Sequence, residues 1–82
     1  MNQTAANEKI SVLAKFKNGN LTPLFFKIGN RMIRIGAIDL KYRFKRGDVD
    51  FYSYSVSARG NSYKITYNAR ELTWILEEIY TN

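Results

Sequence analysis

The sequence predicts a mainly β, α+β fold: a small curled antiparallel sheet or barrel of five to six strands with one C-terminal helix. Three observations predict it. Apolar and polar residues alternate over short stretches through most of the chain, glycine- and asparagine-containing turns separate those stretches, and the period lengthens towards that of a helix only after Asn68. At 82 residues the chain is one domain's worth. A chain of that size buries only roughly 60 to 65% of its surface on folding, so its core is modest and draws on nearly every large apolar residue.

Met1 to Asn7 is polar and aperiodic and is expected as a disordered tail, leaving residues 8–82 as a single small β domain. From Ile10 the pattern is that of a half-buried strand, with Ile10, Val12, Ala14 and Phe16 on one side and Lys9, Ser11, Lys15 and Lys17 on the other. Asn18-Gly19-Asn20 supplies residues that tolerate positive φ in a tight turn. Leu24 to Ile28 is the next strand, entered through Pro23, whose missing amide hydrogen suits a strand start or edge.

After the Gly29-Asn30 turn, Met32 to Ile38 forms a strand in which Gly36 marks a bulge or sharp bend. Leu40, Tyr42 and Phe44 then alternate with Lys41, Arg43 and Lys45, giving one aromatic and one wholly basic face. Phe51 to Ser57 and Tyr63 to Tyr67 alternate in the same way on either side of Gly60-Asn61 and are expected as antiparallel neighbours. Phe16, Phe44, Phe51 and Tyr67 are assigned to the core.

The C-terminal segment admits two readings. As a helix, Asn68 is the N-cap, Glu71 stands three residues later, and Leu72, Ile75, Leu76 and Ile79 form the apolar stripe. As a strand in an all-β alternative, Trp74, Leu76 and Tyr80 share a side, but Glu78 falls among them. Local pattern favours the helix.

Composition narrows function. The absence of cysteine and histidine removes disulfides, thiolate nucleophiles, the commonest general base and the commonest transition-metal ligands. No cofactor, metal or small-molecule substrate is indicated and no catalytic residue is assigned; Asp48 and Asp50 read as turn chemistry beside Gly47. The longest apolar run, Leu24-Phe25-Phe26, is far short of the ~20 residues of a membrane span. With no signal-like N-terminus either, the expectation is a cytoplasmic protein away from the membrane.

Thirteen basic residues against seven acidic give a net charge of +6. The excess is local: Lys9 to Lys64 holds twelve basic and three acidic residues, a net of 12 − 3 = +9. A field of that sign favours an acidic partner. The leading expectation is a non-catalytic module that binds nucleic acid through a basic, aromatic-flanked sheet face. Lys41, Arg43 and Lys45, about 7 Å apart along a strand, would track phosphates. Arg31, Arg34 and Lys27 would add charge from neighbouring strands, and Tyr52 and Tyr54 would offer stacking platforms. The bland account of the same pattern is a solvent face whose charges block edge-to-edge association.

The alternative function is protein interaction, as a homodimer or accessory domain that presents Trp74 and Tyr80 or pairs a sheet edge. For Trp74 the bland account is a ring that covers the end of a small barrel.

The run Pro23-Leu24-Phe25-Phe26-Lys27-Ile28-Gly29-Asn30-Arg31-Met32-Ile33-Arg34-Ile35 resembles the Pro-x-x-Phe and Gly-Arg hairpin of a small bacterial β-domain family of unknown function. Tyr63 to Asn68 and Trp74 to Tyr80 are similar to that family's Tyr-x-Leu-x-Tyr and terminal Trp-x-Leu elements. Asn30 interrupts the Gly-Arg pair, and Ile28 stands where the family tends to carry tryptophan. The resemblance covers about half the chain; it implies a small β domain in which the Trp74 element can be a strand, and no activity.

Overall fold

The computed structural model describes Asn2–Thr81. Among these residues the chain is all β, with seven strands: β1 (Asn2–Lys17), β2 (Asn20–Ile28), β3 (Arg31–Arg34), β4 (Ala37–Arg46), β5 (Val49–Ala58), β6 (Asn61–Asn68) and β7 (Thr73–Thr81). They form one sheet in the order β3-β2-β1-β7-β6-β5-β4, antiparallel throughout and curled into a half-barrel. Among the described residues no helix is long and apolar enough to cross a membrane.

Strand β1 joins the two halves. Its first part, Asn2 to Ile10, pairs with β7, and its second, Ser11 to Lys17, pairs with β2. The segment up to Asn7, expected as a disordered tail, is therefore strand from Asn2 onward; Met1 lies outside the described residues. Backbone pairing to Glu78–Thr81 holds it although its side chains are mostly exposed, a force that polar composition does not reveal. The turn at Asn18-Gly19 has both residues at positive φ, 52° and 80°, the geometry a two-residue hairpin of natural twist requires.

The core lies on the concave face. Leu21 and Phe26 from β2, Ile33 from β3, Tyr54, Val56 and Ala58 from β5, Tyr63 and Ile65 from β6, and Trp74 and Leu76 from β7 form one buried cluster. Rings provide much of its bulk: Phe26 meets Tyr63 edge-on at 4.9 Å, and Trp74 packs against Tyr67 and Tyr54 at 5.0 and 5.8 Å.

The expected single strand over Met32 to Ile38 is instead two. It breaks at Ile35-Gly36, where the chain passes from one sheet edge, β3, to the other, β4. The Ile35 amide donates to the Leu24 carbonyl at 2.9 Å and the Gly36 amide to the Ser57 carbonyl at 2.8 Å, so this link ties both edges of the curl together at one end. The break moves the boundary between the third and fourth strands without adding one; the C-terminal strand, β7, raises the count from five or six to seven.

The C-terminal helix is not formed. The Asn68 cap signal is real: its Oδ1 accepts from the amides of Arg70 and Glu71, both at 2.9 Å, and the Leu72 amide donates to the Asn68 carbonyl at 2.8 Å. One turn forms and stops, because Leu72 adopts a left-handed φ of 58° and turns the chain into β7. A bulge resolves the strand reading's conflict over Glu78. Lys64 pairs with Glu78 while Ile65 pairs with Leu76, so Glu77 is looped out and Ile79, not Tyr80, rejoins the concave side opposite Tyr63.

Candidate functional site

Strand β4 is an edge strand, and its register decides what each side chain faces. Lys41 pairs with Tyr54, Arg43 with Tyr52 and Lys45 with Asp50. Directly paired residues share a face, so the three cations stand on the concave side with the tyrosines. Leu40, Tyr42 and Phe44 take the convex side, opposite Ser55, Ser53 and Phe51. The faces are thus reversed from the simplest expectation, in which the aromatics point into the core and the cations to solvent.

The reversal builds a groove. Between β4 and the β1–β2 hairpin runs an open depression lined by Gly19, Asn20, Leu21, Lys41, Tyr42, Arg43, Tyr52 and Tyr54. Lys41 and Arg43 are exposed along one wall, and half-buried Tyr52 lies beneath Arg43, whose guanidinium carbon stands 5.9 Å from the ring centroid. The Arg43 guanidinium is held above its ordinary value, first by a hydrogen bond with Tyr52 and then by the charges of Tyr52 and Asp50. Arg43 is therefore a permanent cation in this groove.

Tyr54 forms the floor rather than a platform. It is 2% exposed and its hydroxyl donates to the Leu21 carbonyl at 2.5 Å, so no base can stack on it as expected from sequence. Burial first, then the neighbouring Tyr52, pushes its phenol up to about 12.

The other expected cations do not join this groove. Lys27 pairs with Ser11 and Met32, and Arg34 with Phe25, which puts both on the convex side of the β2–β3 end. Arg31 pairs with Ile28 at the tip of the β2–β3 hairpin. All three are exposed, at the opposite end of the strand order from β4.

Trp74 is not available to a partner. At 8% exposed it sits in the core between Tyr54 and Tyr67. Tyr80 is half-buried on the convex side and donates its hydroxyl to Glu78 at 3.0 Å; that bond holds its phenol above the usual range, with burial and the Glu78 charge adding to it.

Sequence reasoning missed a second feature of β4, its convex aromatic ladder. Phe44 stacks on Phe51 at 5.1 Å and 9°, Tyr42 follows at 5.8 Å, and Arg46 caps both phenylalanines at 5.8 and 5.7 Å. Phe44 and Phe51 are half-buried there rather than in the core, and Phe16 is 73% exposed near the hairpin. The alternation was visible in the sequence, but which face would be covered was not.

Among the described residues no cluster of three or more histidine, cysteine, aspartate or glutamate side chains comes together to hold a metal ion. Compared with protein-family models, curated proteins and solved structures, the chain matches none.

Proposed function

We propose that this domain is a non-catalytic binding module that takes an extended nucleic-acid strand in the groove between β4 and the β1–β2 hairpin. The observation that carries the reading is the β4–β5 register, which sets Lys41 and Arg43 on the same face as Tyr52 and beside an open channel. Cations in a row supply the salt-dependent attraction to phosphates, and a ring flanked by arginine supplies a sequence-tolerant stacking surface. Lys45 extends the row along β4. Tyr54 acts only by holding the floor, and Lys27, Arg31 and Arg34 contribute to the general field rather than to contacts.

Membership in the bacterial β-domain family that residues 23–35 resemble belongs to the same proposal, as does a cytoplasmic place of action. That family implies no activity, so the ligand is argued from the groove.

The test is fluorescence anisotropy with labelled single-stranded and duplex oligonucleotides across a salt series, using the protein and a variant with Lys41, Arg43 and Lys45 all changed to Ser. The expected result is binding that weakens steeply with salt and a variant that binds less tightly with a shallower salt slope. Absence of binding by the unaltered protein at low salt refutes the reading.

A further inference from the structure

The free edge of β4 carries a second pattern, which goes beyond nucleic-acid binding and does not rest on it. In the sheet order β4 is hydrogen-bonded to β5 alone, so its other side presents an unclosed ladder of ten residues. Along that edge the concave side chains are Lys41, Arg43 and Lys45 and the convex ones Leu40, Tyr42 and Phe44.

A purely protective edge needs only the charges. Here the other face of the same strand leaves Leu40 56% and Tyr42 44% exposed and continues into the stacked Phe44–Phe51 pair. That is apolar surface on an unpaired strand, of the kind the side chains of an added strand can cover. The channel beside β4 also leaves room at the seam of the half-barrel, between this edge and the β1–β2 hairpin.

We propose that β4 is a strand-addition site for an extended peptide in which acidic residues alternate with apolar ones. Side chains of an added strand alternate between the same two faces as those of β4. Acidic residues on one side would meet Lys41, Arg43 and Lys45, and apolar residues on the other would continue the Leu40, Tyr42, Phe44 surface. The occupant is not a second copy of this chain: β4 laid antiparallel on its own equivalent sets the three cations against the same three cations, and like charges placed opposite destabilise a pair.

The probe is a synthetic ten-residue peptide, matched to β4 in length, that alternates glutamate with valine and tyrosine. Two controls accompany it: a peptide of the same composition with its acidic and apolar residues in separate blocks, and the alternating peptide N-methylated at every second residue. Calorimetry and amide hydrogen exchange on the unaltered protein are the readouts.

The alternating peptide is expected to bind and to slow exchange along β4, while both controls bind roughly tenfold more weakly or not at all. A Tyr42→Ser, Phe44→Ser double variant, altered only on the convex side, loses peptide affinity. Equal binding of the block peptide would reduce the effect to charge attraction and overturn the proposal, as would an N-methylated peptide that binds undiminished. Concentration-dependent dimerisation with β4 amides protected in the absence of peptide would also overturn it, by showing that a second copy is the occupant. An oligonucleotide titration in parallel keeps the two readings apart: peptide binding without oligonucleotide binding refutes the groove reading alone.

Discussion

The Tyr54 hydroxyl donates to the Leu21 carbonyl at 2.5 Å, joining β5 to β2 across the seam of the half-barrel. In the sheet order these strands are separated by β1, β7 and β6, so no backbone ladder connects them directly. The bond lies under the groove and closes its floor.

Removing that donor isolates its effect. Tyr54→Phe leaves the ring packed against Trp74 but strands the Leu21 carbonyl, at a cost of about 1–3 kcal/mol in denaturant unfolding. A change below the precision of the measurement would mean that water replaces the hydroxyl. The same group sets an alkaline limit. Its folded value of about 12 lies above the ordinary 10.0, so the neutral phenol's contribution is fully present below pH 10 and is lost as pH rises through about 12. Tyr54→Phe should flatten the fall in stability over that window, leaving a slope of the same sign from Tyr80 and Lys64, both also held above their ordinary values.

Leu72 is strained where it ends the turn after Asn68. An exposed leucine at φ 58° gains nothing from a core and bears the steric penalty of the left-handed region. Leu72→Gly is expected to stabilise the protein by about 1 kcal/mol, and Leu72→Ile to destabilise it by a similar amount, because a β-branched side chain is least tolerated there. Thermal and urea unfolding of both variants check the order; the reverse order would place the origin of the turn elsewhere.

Leu72 also marks where the local helix signal gives way to the sheet. Asn68, Glu71 and the apolar spacing up to Ile79 are consistent with a helix, and the cap forms as local physics dictates. What overrides it is non-local. Strand β7 lies between β1 and β6, pairing with both, and in that place Trp74 and Leu76 are buried in the core. The Glu77 bulge that makes the strand acceptable has no sequence signature of its own. By contrast, the β5–β6 hairpin and the Asn18-Gly19 turn were legible because alternation and turn chemistry are local. The row of Lys41, Arg43 and Lys45 was legible as a row, but its turn towards the concave side follows from pairing with Tyr54 and Tyr52.

Gly36 holds the two sheet edges together through a close approach rather than an unusual φ. A Cβ built there would stand 3.3 Å from the Ser57 carbonyl oxygen that the Gly36 amide already binds at 2.8 Å. Alanine would ordinarily gain slightly by stiffening the unfolded chain. Here it presses on backbone held in the β5 ladder, so Gly36→Ala is expected to cost about 0.5–1 kcal/mol and Gly36→Val more. Faster hydrogen exchange at residue 36 would accompany the loss; unchanged exchange and stability in both variants would show that the link yields freely.

On the proposed nucleic-acid reading, Arg43 and Tyr52 divide the work of the groove in a way that salt can separate. Arg43 stands exposed above the half-buried Tyr52 ring; in that reading Arg43 would supply charge and Tyr52 a face for a base. Arg43→Ser should therefore weaken oligonucleotide binding and reduce the slope of log affinity against log salt by about 1, the value for one lost phosphate contact. Tyr52→Leu keeps an apolar body in the wall and should cost about 1–3 kcal/mol of binding with the slope unchanged. Anisotropy titrations of both variants across the same salt series decide it. A slope that falls equally in both would mean that Tyr52 acts only by positioning Arg43, and stacking would then have no part in the groove.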